Sequence, residues 1–294
     1  MAGVTAEQQV GTVLVGYLAQ HRARLLEQDA RLRAGDPEGV HQMRVAARRL
    51  RSALASYAPI LEGDSPAVLA EELRWLGGVL SPARDAEVLR ARFDAVLEAQ
   101  PDALALGAAT RRIDDELGGR SRAGRADAET ALDGERYARL LSDLSRFVDS
   151  PPFAHSASRP ARKVLPKLLD ADLARVRRRH RAWERTADPS RRAHALHQVR
   201  KAAKRLRYAA ESAQPVLGDR ATDLARQAEA LQELLGAHQD TVVARTVLTE
   251  MGLHAHDAGE DELTFGRLHA IEEARAAELV AAYPDVLARL GDGG

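Results

Sequence analysis

Two nearly identical stretches of the chain place a histidine and three cationic side chains at intervals of three, four and three residues. The stretches are VHQMRVAARRLR, which begins at residue 40, and LHQVRKAAKRLR, which begins at residue 196. The eight positions are His41, Arg44, Arg48, Arg51, His197, Arg200, Lys204 and Arg207. On a helix these intervals bring each set of four to one face, over roughly 15 Å. Such a row of guanidinium and ammonium groups suits an extended anion with closely spaced charge, and inorganic polyphosphate has that form.

Nothing within either stretch offsets the repulsion between these like charges, because neither stretch contains an acidic residue. Cations three or four residues apart destabilise an isolated helix by about 0.2–0.5 kcal/mol per pair. Carboxylates from other helices could neutralise the rows, and Asp85 and Asp240 are the candidates. A bound polyanion could do so instead. The repetition of the same face favours the polyanion, and both solutions stay open at this point.

Charge is segregated along a chain whose formal net charge is zero. Residues 159–207 contain 17 basic and 4 acidic residues, whereas residues 219–290 contain 6 basic and 14 acidic ones. All four lysines of the chain lie in the basic segment, at Lys163, Lys167, Lys201 and Lys204. A lysine acts as a compact point charge on phosphate. Lys163 and Lys167 lie one predicted helix before the second stretch, and we expect them to extend its basic surface.

Other chemistry is poorly supported by the sequence. There is no cysteine, so thiolate metal sites and thiol catalysis are excluded. The close pairs His194/His197 and His254/His256 lack a zinc-binding pattern such as HExxH, and no phosphate-binding loop, nucleophile elbow or dinucleotide motif is present. We therefore predict no catalytic residue, no metal and no cofactor. The repeated histidines remain either anion donors or ordinary structural residues.

The same sequence limits the partners. Only Tyr208 adjoins the cationic rows, so few groups could read or stack on bases, and we predict no sequence-specific nucleic-acid binding. No signal peptide or membrane-spanning run is recognisable, which predicts a cytoplasmic protein without a membrane partner. Two alternatives remain: a helical scaffold that binds RNA or an acidic protein, and a histidine-dependent phosphatase or kinase acting on polyphosphate. The oligomeric state is not predicted.

The elements that position the rows are predicted to be helices in a duplicated unit. Residues 40–61 align with 196–217 with 12 identities in 22 positions, and a second block aligns residues 76–90 with 231–245. We predict units 1–150 and 151–294, divided at the Pro/Ser-rich segment 149–158. Asp36-Pro37 and Asp188-Pro189 predict helix starts, Pro59 and Pro215 predict helix ends, and the glycine-rich segment 118–127 predicts a loop. No alternation typical of a strand is found.

The blocks HQMRVAARRLR and HQVRKAAKRLRY, each followed by an aspartate-ended block (LSPARD, LGAHQD), resemble the CHAD family, the conserved-histidine α-helical domain. The resemblance covers about residues 5–290. It implies an all-α fold of two pseudo-symmetric antiparallel four-helix bundles with a basic central cavity, which binds inorganic polyphosphate on polyphosphate granules. The family's cavity positions match the eight residues of the two rows, with Lys163 and Lys167 on the preceding helix.

Further candidates under this resemblance are secondary: Arg49, Arg84, Arg205 and Tyr208. Gln239 stands in the second block where the first has Arg84, so the two halves differ there. Many family members also carry a triphosphate-tunnel catalytic domain. None is expected within these 294 residues. The expected function is therefore non-enzymatic.

Overall fold

The chain is helical throughout the part that the computed structural model describes, residues 7–36, 38–100 and 107–291, with only the backbone described at residues 107, 189 and 190. The helices are α1 (Val10–Arg33), α2 (Glu38–Ser56), α3 (Ser65–Val79), α4 (Ser81–Glu98), α5 (Gly107–Leu132), α6 (Glu135–Asp149), α7 (Ala161–Glu184), α8 (Pro189–Leu217), α9 (Asp219–Asp257) and α10 (Leu263–Ala288). These ranges contain no β-strand, only two isolated bridges. The predicted all-α fold is confirmed.

The two cationic stretches lie in α2 and α8, whose ends follow the predicted signals. A carboxylate oxygen of Asp36 accepts a hydrogen bond from the backbone N–H of Glu38 at 2.9 Å, which satisfies a donor at the start of α2. The predicted first-turn proline, Pro37, lies outside the described residues. At the other end α8 stops two residues after Pro215, where Gly218 adopts a φ of 55°. That conformation favours glycine.

Corresponding helices pack in the same way in the two halves of the chain. α1 packs on α2 as α7 packs on α8, and α4 packs on α5 as α9 packs on α10. α2 and α8 also contact each other, which brings the two cationic stretches together. This order agrees with a duplication, although the pseudo-symmetry of two four-helix bundles stays a prediction. In the ranges that the structure describes, no helix is long and apolar enough to cross a bilayer.

The hydrophobic core is shared between the halves. One cluster joins residues of α1–α3 and α6 to residues of α7–α9, including Leu14, Leu50, Leu165 and Ala210. A second cluster joins α4 and α5 to α9 and α10, and a third holds α7 to α10 together. The segment between Asp149 and Ala161 connects the halves, and the division into units 1–150 and 151–294 stays a prediction.

The predicted loop at residues 118–127 is wrong, because α5 runs through this segment without interruption. Its glycines are explained in part by packing. A Cβ atom added at Gly124 would lie 2.6 Å from the backbone nitrogen of Ala83, so only glycine lets α5 approach the start of α4 this closely. No such contact limits Gly119. A glycine-rich composition therefore reflected helix packing, which the sequence alone does not distinguish from a turn.

Candidate anion-binding site

A cavity of about 800 Å³ lies between α2, α3 and α8. Both long helices bury the apolar stripe beside their cationic row: Met43, Ala47 and Leu50 in α2, and Val199 and Leu206 in α8, are at most 1 % exposed. Packing of these stripes against the core fixes the rotation of each helix about its axis. Of the neighbouring cationic positions, Arg48 and Arg51 of α2 and Arg200 and Lys204 of α8 are turned to the space between the two helices.

Four partly buried cations line this cavity without an ion pair to any carboxylate that the structure describes, and the exposed Lys201 at its rim makes none either. Two come from α2 and two from α8: Arg48, Arg51, Arg200 and Lys204. His197 lines the same space. All five side chains belong to residues that are neither fully buried nor exposed, so their charges are partly withdrawn from water. These four cations bear on the anion prediction most directly, because the protein supplies them with no counter-charge of its own.

Lys204 carries the clearest mark of this arrangement. Burial, followed by the positive charges of Arg48 and Arg200 and then of Arg51 and Arg44, lowers its pKa from 10.5 to about 6. Burial also lowers the pKa of Arg200, with Arg48 adding to the effect, while Asp240 opposes it. Burial lowers that of Arg51 as well, and Arg48 and Arg74 contribute. Each of these shifts reports a local excess of positive charge in poorly hydrated surroundings.

Two buried nitrogen atoms at the cavity have no hydrogen-bond partner among the described residues. They are Nε of Arg200 and Nδ1 of His197. Nε of Arg200 always carries a proton and donates, whereas Nδ1 of His197 donates only in the tautomer that protonates it. Leaving a buried donor unsatisfied costs about 1–3 kcal/mol. An anion in the cavity would meet this requirement.

Tyr208 holds one of the cations in place. Nε of Arg48 donates a hydrogen bond to the Tyr208 hydroxyl at 3.0 Å, which links α2 to α8 across the site. The guanidinium of Arg49 lies over the same ring, 4.7 Å from its centre. Tyr208 is 3 % exposed, so its ring is a rigid support. Its predicted contact with the ligand is untested, and the structure shows it acting on Arg48.

The two histidines are held neutral near pH 7 in the free protein. Burial lowers the pKa of His197, and Arg200 and Lys201 contribute, while an interaction with Gln239 works in the opposite direction. Burial also lowers the pKa of His41, where Glu38 opposes the effect and Arg84 adds to it. Arg84 thus acts on His41 through its charge and Gln239 acts on His197 through a hydrogen bond, so the two aligned positions differ in chemistry. Only His197 of the two lines the cavity.

Other predicted cations are neutralised by the protein's own carboxylates. Arg44 pairs with Asp85 at 3.0 Å, as the alternative interpretation of the sequence allowed. The remaining ion pairs are Arg49 with Glu211, Arg84 with Glu87 at 3.4 Å, Arg205 with Asp172 at 2.7 Å, and Arg207 with Glu211 at 2.8 Å and Glu229 at 2.6 Å. Asp240, the counterpart of Asp85, makes no such pair with Arg200, and burial raises its pKa. The protein's own carboxylates therefore neutralise some cations of each row, and the four partly buried cavity cations stay without an ion pair.

The structure does not bring all predicted residues to the cavity. Lys163 and Lys167 are exposed on α7 and do not line it. His41, Arg44 and Arg207 are also absent from its lining, as are Arg49 and Arg84 among the secondary candidates. Arg205 and Tyr208 do contribute to it. The assignment of all these residues as ligands stays a prediction.

Sequence reasoning missed the third wall, which α3 supplies. Pro66, Ala67 and Ala70 form an apolar surface opposite the cations, and Arg74 lies beside them in an ion pair with Glu71. Low-dielectric walls concentrate the field of a charged cleft. Lys201, which is exposed, completes the rim. α3 carries no repeated motif, so no signal in the sequence placed it at the site.

The part of the chain that the structure describes contains no group of three acidic or histidine side chains that could hold a metal ion.

Comparisons with known proteins agree with this architecture. The sequence model of the CHAD domain matches residues 16–249. Two Mycobacterium tuberculosis proteins, the uncharacterized proteins MT2285 (strain CDC 1551 / Oshkosh) and Rv2226 (strain ATCC 25618 / H37Rv), are each 37% identical to this chain over 258 residues. The match covers 87% of this chain and 48% of each of theirs, so the chain spans about half the length of these relatives.

Two solved structures share the fold. PptA from Streptomyces chartreusis superposes with a TM-score of 0.80 at 19% identity, over 95% of this chain and 99% of that one. The CHAD domain from the plant Ricinus communis superposes with a TM-score of 0.75 at 27% identity, over 97% of this chain and 94% of that one. The family match over most of the sequence and this likeness of fold lead to one conclusion. The chain belongs to the CHAD domain family.

Proposed function

We propose that the protein binds inorganic polyphosphate in the cavity between α2, α3 and α8, without catalysing a reaction on it. One observation carries the proposal: Arg48, Arg51, Arg200 and Lys204 face one cavity and have no carboxylate partner in the described part of the chain. A polymer of phosphates supplies several negative charges in a row, so one ligand contacts all four side chains at once and favours the charged form of Lys204. Binding of this kind would serve to attach the protein to polyphosphate granules in the cytoplasm.

The surroundings of the cations favour a ligand without bases. The arginine and lysine side chains of the cavity lining can contact the phosphate groups of a polymer. The tyrosine of the lining, Tyr208, already accepts a hydrogen bond from Arg48. Nucleobases stack on free aromatic side chains, and the cavity lining has no free phenylalanine, tyrosine or tryptophan. A short anion such as ATP or orthophosphate would contact few of the cations, so we expect it to bind much more weakly than long polyphosphate.

The test is a titration with long-chain polyphosphate at two salt concentrations. We expect Arg51→Gln/Arg200→Gln to weaken binding by about tenfold or more per lost contact, and to reduce the slope of log K against log [salt] by about 1.4. The matched control is Arg139→Gln/Arg146→Gln on α6, which removes the same charge from exposed, ion-paired positions and should bind like the wild type. Equal affinity of the two double variants would refute the proposal.

A competition experiment separates polyphosphate from the alternative partners. RNA with the same number of phosphates should displace polyphosphate poorly at physiological salt. Ready displacement would favour a general RNA-binding or acidic-partner scaffold instead. Release of orthophosphate from polyphosphate by the wild type, and its loss in His197→Ala, would contradict the non-enzymatic part of the proposal.

A further inference from the structure

A second set of cations lies on α7, outside the cavity. α7 packs one side into the core, where Leu165, Val176 and Trp183 are buried. The opposite side is exposed and, together with the C-cap residue Arg185, carries five cations, which we call the α7 face: Lys163, Lys167, Arg178, Arg181 and Arg185. At about 100° per residue these positions fall within a sector of roughly 60°, and they extend over roughly 33 Å along the helix.

None of the five cations makes an ion pair with a carboxylate in the ranges described by the structure. Exposed arginines on other helices do form such pairs. Arg139 lies 3.0 Å from Glu135, Arg146 lies 3.3 Å from Asp143, and Arg226 lies 2.9 Å from Asp223. The acid on the α7 face, Asp170, lies 3.9 Å from Arg220 of α9. The α7 face thus concentrates five unpaired cations along one side of a single helix.

The α7 face offers a ligand charged groups but no exposed aromatic or large apolar side chain. Between its cations the uncharged exposed positions are alanines, such as Ala171 and Ala174, and the tryptophan of this helix, Trp183, is buried. Base stacking needs exposed aromatic rings, and insertion into a lipid surface needs large apolar side chains. An anion recognised here must therefore present regularly spaced charge along its length and nothing else.

We propose that the α7 face is a second contact surface for inorganic polyphosphate, which adds to the cavity when the polymer is long. This inference rests on the proposed function of the cavity. α7 packs directly on α8, and Arg205 of α8 both lines the cavity and lies 2.7 Å from Asp172 of α7. The face lies on the side of α7 away from Asp172, so a polymer that leaves the cavity passes around one helix, about 10–12 Å in diameter, before it reaches the face. Two linked contacts on one polymer strengthen binding by raising the effective concentration at the second.

The test uses the full chain with two probes, tripolyphosphate and long-chain polyphosphate. The variant is Arg178→Gln/Arg181→Gln/Arg185→Gln, whose side chains are exposed, so folding should be preserved and is checked by circular dichroism. We expect its affinity for the long polymer to fall about tenfold and its salt slope to fall by about 2, for three lost contacts. Tripolyphosphate is too short to reach beyond the cavity, so its affinity should not change.

The matched control is Arg139→Gln/Arg146→Gln/Arg226→Gln, which removes three exposed charges elsewhere and should leave both affinities unchanged. Equal losses in the two triple variants would overturn the proposal, because net charge would then explain the effect. An unchanged salt slope in the α7 variant would overturn it too. If poly(U) shows the same loss as polyphosphate, the face is a nucleic-acid surface and the proposed occupant is wrong. Failure of the cavity itself is seen separately, as equal tripolyphosphate binding by the wild type and Arg51→Gln/Arg200→Gln.

Discussion

At the scale of single residues, the site is organised by which cations the protein neutralises and which it leaves unpaired. Arg200 and Arg207 lie two helical turns apart on α8 and belong to the same sequence row, yet their environments differ. Arg207 contacts Glu211 and Glu229, whereas Arg200 has a buried Nε atom without a partner among the described residues. The same residue type therefore has a structural role at one position and is available to a ligand at the other.

This difference predicts opposite results for two substitutions with the same formal charge change. Arg200→Gln should weaken polyphosphate binding by about tenfold and leave the protein folded, because it removes a poorly hydrated, unpaired cation. Arg207→Gln should lower the free energy of unfolding by about 1–2 kcal/mol with little effect on affinity, because its guanidinium is already engaged. Urea unfolding and polyphosphate titration of both variants measure the two effects. A larger loss of affinity in Arg207→Gln than in Arg200→Gln would contradict this assignment.

Lys204 makes binding dependent on pH. Its pKa of about 6 means that the side chain is mostly neutral in the free protein above pH 7, while the unfolded chain keeps the ordinary value of 10.5. A bound polyanion would raise the folded pKa, so binding takes up a proton and affinity should increase as the pH falls from 9 towards 7. Arg44, Arg48 and Arg51 of α2 and Arg200 of α8 act on Lys204, and Arg74 and Glu71 of α3 line the same cavity.

Substitution of Lys204 by methionine separates binding from stability. Because the unfolded state binds one more proton than the folded state between about pH 6 and 10.5, Lys204 makes the free protein less stable as the pH falls through this window. Lys204→Met should remove that dependence and raise the free energy of unfolding near pH 7 by about 1–3 kcal/mol. It should also weaken polyphosphate binding and abolish its dependence on pH. Calorimetric titration at pH 7.5 and 9 is the measurement, and identical proton uptake by wild type and variant would refute it.

At the scale of helices, glycine has opposite consequences at two positions of α5. Gly124 lies against the backbone of Ala83, whereas a Cβ atom at Gly119 would meet nothing within 4 Å. We expect Gly124→Ala to destabilise the protein by about 1–3 kcal/mol through overpacking between α4 and α5. Gly119→Ala should stabilise it by about 0.5–1 kcal/mol, because alanine is the better helix former. The denaturant midpoints of the two variants, compared with that of the wild type, measure both effects. Stabilisation by Gly124→Ala would show that the close approach to the Ala83 backbone does not require glycine.

These helices also show how far the sequence predicts the structure. Capping residues, prolines and the apolar stripes beside each cationic row depend on local chemistry, so the all-helical fold and the orientation of α2 and α8 were predictable. The continuity of α5 was not, because a close contact with Ala83 is a tertiary fact. For the same reason no local pattern indicates that Glu211 and Glu229 engage Arg207, or that α3 forms the third wall.

At the scale of the whole molecule, the unpaired cations make stability depend on the anions in solution. A ligand that binds only the folded state stabilises it by RT ln(1 + [L]/Kd), about 2.7 kcal/mol at a concentration of 100 Kd. Long polyphosphate should therefore raise the melting temperature by roughly 5–10 °C for a chain of this size. Orthophosphate at the same total phosphate should raise it far less, and Arg51→Gln/Arg200→Gln should not respond. Equal shifts with both anions would count against recognition of a polymer.

The core that joins the first and second halves has a consequence for a cut chain. Because Leu14 and Leu50 belong to the same buried cluster as Leu165 and Ala210, neither fragment could bury its apolar surface alone. A protease that nicks the connection between Asp149 and Ala161 should leave two pieces that remain associated and copurify until denaturant is added. The break would then be visible on a denaturing gel while the nicked particle elutes at the size of the intact protein.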